Sequence, residues 1–405
     1  MPHRLTRHLI PMAAALGLMA PPAMALDIDF EGYLEIEARN FPQTARNDDQ
    51  RENFSSVAGE VELGFYSDNG RHAVIVKPFG RADEHDHERT HMDLREAKYR
   101  YVNGAYEFTF GVDKEFWGVT EFLHLVDIIN QTDNVESPDG EQKLGQPMVK
   151  FSMAQSWGTL TGYFMPAFRL RQFYDPLTGR PSAGFVVNDE TTFFESEHGR
   201  SNPDYALRYG HNIGAFDVGL SWFDGTARTP QLVPNGDSYN GLPVLNAYYP
   251  LRTQLGLDAQ ATLGPWLLKL EAIESEENDI TNARATGGVE YTFYNLFNSG
   301  TDVGLVAEYM WDERELDAPH PFGNDVGIGL RWTANDVQST SILIGGIVDL
   351  DTDSTAFSVE AERRLGQNFK VILEARGQNY VGDDDVWANA LANEDFVRLR
   401  LNWFF

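Results

Sequence analysis

Between Gly111 and Pro147 the chain runs GVDKEFWGVTEFLHLVDIINQTDNVESPDGEQKLGQP. Glu121, His124, Asp127 and Asn130 recur there at helical spacing, opposite Phe122, Leu125, Val126 and Ile129. His124 and Asp127 are the one pair spaced for acid–base chemistry. No Gly-x-Ser-x-Gly string and no HExxH accompanies them, so the expectation is that the chain is not an enzyme. A stripe of this kind suits a different task. Its apolar side needs a wall to rest on, and its polar side would then border a solute path. The spacing predicts an amphipathic helix of about a turn and a half, with Trp117, Glu121, His124, Asp127, Asn130 and Asp133 as constriction and substrate-facing residues.

Two other groups have ligand chemistry. His85, His87 and His91 stand among carboxylates in RADEHDHERTHMD (81–93) and are weak candidates for a transition metal. Asp349, Asp351 and Asp353 have the spacing that opens a calcium loop, without its central glycine or closing glutamate. Neither amounts to a metal site, and no cofactor is expected.

The elements that must carry these residues follow from composition and period. The first 25 residues have Arg4 and Arg7, an apolar run from about Leu9 to Ala20 and a closing Ala23-Met24-Ala25. These are the three parts of a cleaved, Sec-type signal peptide, with an apolar core too short to span a bilayer. Removing it leaves 30 basic and 61 acidic residues, a charge of −31. Nucleic acid is thereby excluded as a partner. There is no cysteine, so no disulfide is required.

The rest, 26–405, reads as a single domain of one repeated unit. Segments of about ten residues alternate apolar and polar side chains, with short and long connections in turn. The count is eighteen strands, with sixteen as the alternative. The tight turns are DNG (68–70), NG (103–104), NIG (212–214), GP (264–265) and LGQN (365–368). The long connections, 40–53, 114–146, 168–202, 225–252 and 380–394, are acidic. The fold class predicted is all-β, a transmembrane antiparallel up-and-down β-barrel with short periplasmic turns and long acidic extracellular loops. The third loop, 114–146, is expected to fold inward.

The closing DFVRLRLNWFF places Val397, Leu399, Leu401 and Trp403 on one face, with Arg398, Arg400 and Asn402 on the other. Alternation puts Glu35, Glu37, Lys98, Arg100, Arg331, Arg376, Arg398 and Arg400 among the lumen-lining charges. Acids and bases balance on that face, so the acidic excess falls to the loops. Tyr99, Tyr101, Trp222, Tyr309, Trp311, Trp332 and Trp403 stand near strand ends, as in interfacial girdles.

A last strand that ends in Trp403 and Phe405 resembles the C-terminal signature of Gram-negative outer-membrane proteins. That resemblance implies recognition by the barrel-assembly machinery, and contact with outer-membrane lipid and lipopolysaccharide. Gly111, Trp117, Gly118, Asp127, Asn130 and Asp133 resemble a motif of porin-like and alginate-export-like barrels. The balanced lumen departs from the arginine-rich lining that the alginate-export side implies. The function expected is a passive outer-membrane channel for small hydrophilic solutes, with the third loop as constriction. The alternative is a non-conducting barrel whose acidic loops bind a surface partner or divalent cations. Neither the solute nor the oligomeric state is readable.

Overall fold

In the computed structural model the described residues are 26–46, 48–137, 139–315, 322–379 and 393–405. The signal peptide, and most of the acidic stretch 381–395, lie outside them. Alternating side chains along extended backbone give strands β1 (Leu26–Asn40), β2 (Asn53–Ser67), β3 (His72–Asp83), β4 (His91–Asn103), β5 (Tyr106–Asp113), β6 (Gln146–Gln155) and β7 (Gly158–Met165). A strand within a loop follows, β8 (Val186–Phe194), then β9 (Asp204–Ile213) and β10 (Phe216–Thr226). Two more loop strands are β11 (Gln231–Tyr239) and β12 (Leu242–Tyr249). The wall continues with β13 (Leu251–Leu263), β14 (Trp266–Glu277), β15 (Ile280–Phe293), β16 (Asp302–Asp312) and β17 (Asn324–Thr333). It ends with β18 (Ser341–Asp349), β19 (Thr355–Leu365), β20 (Phe369–Asn379) and β21 (Phe396–Phe404).

Eighteen of these strands form one antiparallel sheet, each paired with its neighbour in the chain once β8, β11 and β12 are set aside. The sheet closes because β21 pairs with β1, setting Glu37 opposite Arg400 and Arg39 opposite Arg398. Backbone bonds between Gly32 and Phe405 complete the seam. All eighteen predicted strands are present, with ends shifted by a few residues. Tight turns join them at one end, and Gly104 (φ +59°) and Gly264 (φ +63°) adopt the left-handed backbone that such turns need.

Outward positions are apolar and uncovered: Ile36 is 62% exposed and Ile328 64%. On a closed barrel such a band matches a lipid-facing surface. Leu399, Leu401 and Trp403 belong to it, whereas Arg398 and Asn402 are buried on the inner side. No helix among the described residues is long and apolar enough to cross a membrane.

Two features were not legible. The fourth and fifth connections at the long-loop end share a three-stranded sheet in which β12 pairs with β11 antiparallel and with β8 in parallel. Loop strands of this kind follow no parity rule. The register of β3 on β4 also slips between Lys77 and Pro78. Proline cannot donate to the ladder, and the bulge changes the phase of the alternation. Asp93 and Arg95 thereby join the inward charges, which strict alternation from Glu96 excludes.

Candidate functional site

Among its described residues the third loop carries no helix. The apolar stripe is real, but the backbone N–H groups a helix would spend on its own carbonyls go to lumen carboxylates. Glu271 on β14 accepts from the N–H groups of Val119 (2.6 Å), Thr120 (3.0 Å), Leu125 (2.7 Å) and Val126 (3.1 Å), and from the Thr120 hydroxyl (2.7 Å). Glu308 on β16 accepts from Glu121 (2.8 Å) and Phe122 (3.0 Å). Charge-assisted acceptors of this kind outbid neutral carbonyls, and the chain wraps around them. A helical period fixes which side chains share a face; it does not say where the N–H groups will bond.

The stripe still finds a wall. Leu125, Val126 and Ile129 are buried with Trp117 against Met148, Tyr163, Met165, Ala206, Phe223 and Ile273, contributed by β6, β7, β9, β10 and β14. Phe122 lies on Gly327, Gly329 and Gly345, where any β-carbon would meet its ring. Three glycines on β17 and β18 thus make a shelf for one phenyl group.

The six loop residues named from sequence fall into two sets. Trp117, Asn130 and Asp133 are 6%, 2% and 0% exposed, so the structure takes them off the solute path where the sequence reading put them. Trp117 lies between Tyr163 and the Arg208 guanidinium. Asn130 accepts from the Glu115 N–H and donates to the Asp113 and Leu144 carbonyls. Asp133 takes an ion pair from Arg95 at 2.5 Å. Asp127 binds the loop to itself, accepting from the N–H groups of Trp117 (2.5 Å) and Gly118 (3.0 Å).

Glu121 and His124 are less enclosed. Glu121 pairs with Arg331 (2.8 Å) and Lys269 (3.4 Å). His124 stands between Glu141 (3.2 Å) and Glu271 (3.6 Å), and Gly118 leaves room for its ring. Burial alone would lower the pKa of His124, but hydrogen bonds and charge from the two carboxylates outweigh it and push the value up to about 10. The imidazole is therefore a cation at neutral pH, tying the loop to the wall, and its partner is not Asp127 as an acid–base pair would require.

The far part of the loop meets the seam. Arg81 grips Glu136 through two nitrogens and also reaches Glu35 at 2.9 Å. Arg89 holds Glu37 (2.7 and 3.0 Å) and the Val135 carbonyl (2.8 Å). Arg398 pairs with Glu374 and donates to the Glu136 carbonyl at 3.1 Å. Arg376 bridges Asp139 (2.5 Å), Glu360 (3.0 Å) and Glu374 (2.7 Å). Lys98 pairs with Glu96 and Asp113, while Arg100 has no ion pair among the described residues. Arg89, Arg95 and Glu136 went unread: the first and last lie in loops, and the bulge hides the second. Pro78 inside a strand was the available signal.

Between this part of the loop and the wall lies a cavity of about 230 Å³, bordered by Tyr33, Glu60, Arg95, Lys114, Gln142 and Arg400 among others. A larger open recess of about 660 Å³ lies at the short-turn rim, around Pro265 and Phe297, away from the loop. Among the described residues no three or more histidines and carboxylates are arranged to hold a metal. His91 lies 3.7 Å from Glu136, and His85 packs on Phe54. Asp349 instead closes a turn, accepting from the N–H groups of Asp351 and Thr352.

No family model matches the chain, and no curated protein matches it in sequence. Solved structures do resemble it. A BenF-like porin from Pseudomonas fluorescens Pf-5 aligns with a TM-score of 0.52 at 12% identity, over 94% of this chain and 98% of that one. OmpT of Vibrio cholerae, an outer membrane protein in trimer form, aligns with a TM-score of 0.48 at 11% identity, over 94% and 100%. A variant of Rh. blastica porin gives 0.46 at 13%, over 94% and 100%. At 12% identity the BenF-like porin shares the fold: a closed β-barrel of porin type.

Proposed function

We propose that the chain is an outer-membrane channel of a Gram-negative cell, passing small hydrophilic solutes by diffusion, with the third loop as its constriction. One observation carries this reading. The loop spends its backbone N–H groups on Glu271 and Glu308 and its far carboxylates on Arg81 and Arg376, so it is fastened to opposite parts of the inner wall. A wall that fixes a loop so firmly sets a width. No catalytic step is part of the proposal, because His124 is committed to two carboxylates and Asp127 to two N–H groups.

The test is removal of the loop. Deleting residues 119–133 is expected to leave the barrel closed, seen as heat-modifiable migration, while raising single-channel conductance and relaxing size discrimination. An unchanged conductance in the folded deletion would place the constriction elsewhere. A wild-type barrel that conducts nothing would favour the alternative, a barrel whose acidic loops bind a surface partner.

A further inference from the structure

The cavity beside the loop has about 230 Å³, less than the roughly 300–1,000 Å³ typical of pockets for drug-sized ligands. It suits a solute of few heavy atoms. Most charges on its wall are already committed. Arg81 is held by Glu35 and Glu136, Arg95 by Asp133, and Arg398 by Glu374. Asp139 and Glu360 share Arg376, Glu141 holds His124, and Arg400 leans on Glu374 at 3.7 Å.

Among the described residues the Arg400 Nε has no hydrogen-bond partner, and one cation and one anion of this wall have no ion pair at all. The Lys114 ammonium and the Glu60 carboxylate border the cavity, and neither has an ion pair or a side-chain hydrogen bond among the described residues. Each feels the other's charge, but they stand farther apart than the 4.0 Å of an ion pair. Tyr33, opposite Glu60 in the register of β1 on β2, adds a hydroxyl without a hydrogen-bond partner among the described residues. Burial, with Arg95 nearby, lowers the Lys114 pKa to about 8, so its charge lacks compensation where it stands.

A simple anion would answer Lys114 and leave Glu60 facing negative charge; a simple cation would do the reverse. A solute that carries both charges a few bonds apart satisfies the two at once. We propose that this cavity is a subsite for small zwitterionic solutes of the α-amino acid kind, with the carboxylate on Lys114 and the ammonium on Glu60. The proposal rests on the channel reading, and the experiment separates the two.

Tracer influx into proteoliposomes is measured for alanine, lactate and glycerol, which are of similar size. Alanine is expected to exceed both. The alanine-to-glycerol ratio is expected to fall about tenfold in Lys114→Met and in Glu60→Gln, the loss of one charge-assisted contact. The double exchange Lys114→Glu with Glu60→Lys should recover it, since a zwitterion can bind reversed. Heat-modifiable migration verifies folding of each variant. A wild-type ratio near one, a ratio kept in both single variants, or lactate equal to alanine would overturn the subsite and leave the channel standing. No glycerol influx would overturn the channel instead. Saturation-transfer NMR of alanine on the folded barrel then decides the subsite: a signal lost in both single variants upholds it, and no signal ends it.

Discussion

At the scale of single residues, His124 joins the inner loop to the wall by charge. Its pKa, about 10 when folded, stands above the ordinary 6.5 because Glu141 and Glu271 favour the imidazolium against burial. A raised value means the stabilisation is complete below about pH 6.5 and is lost as pH rises through about 10. Limited proteolysis of the loop should therefore quicken between pH 7 and 10, and His124→Gln should flatten that profile. A loop equally resistant at both pH values in the wild type would contradict the ionic tie. Histidine and its helical spacing were legible in the sequence. Its partners were not, because Glu271 lies 147 positions further on and only the closed wall brings it near. The same holds for Glu121 with Arg331.

The strands were the most legible elements, since a period of two is a local property and a membrane enforces it on every strand. Leu401 and Asn402 show the contrast in the last strand: one is 38% exposed outside, the other 8% inside. Leu401→Arg is expected to cost about 2–4 kcal/mol near the midplane, measured as a shift in urea unfolding from lipid vesicles. Asn402→Arg, placed beside Glu35 and Lys370 in register, should cost clearly less. Equal losses would mean that the two faces are misassigned. The loops were less legible for the opposite reason. Their backbone bonds are made to distant side chains, as Val119 and Phe122 show, and the pairing of β8 with β12 joins two loops across long sequence separations.

At the scale of the molecule, the seam was legible in outline: acids on β1, bases on β21, and a pair between Arg398 and Glu37 at 3.8 Å. Its surroundings are closed to solvent. The two side chains are 4% and 1% exposed, and Arg39, Arg81 and Arg89 crowd the same carboxylate. Another tie spans the long-loop end. Arg180, from the connection between β7 and β9, pairs with Glu394, donates to the Gln43 and Asn393 carbonyls and covers the Phe41 ring. One arginine thus gathers three connections that the sequence separates by more than a hundred residues.

The fastening of the inner loop has a consequence in time. Its anchors lie on β3, β4, β14 and β16, and on β20 and β21, the last strands of the chain. Residues 114–146 are synthesised long before those partners exist as a wall, so the loop has nowhere to settle until the cylinder is shut. It is a late passenger of its own barrel, and its protection from protease during refolding into vesicles should arise together with the heat-modifiable form or after it. Protection that came earlier would show that the loop finds its shape without the wall.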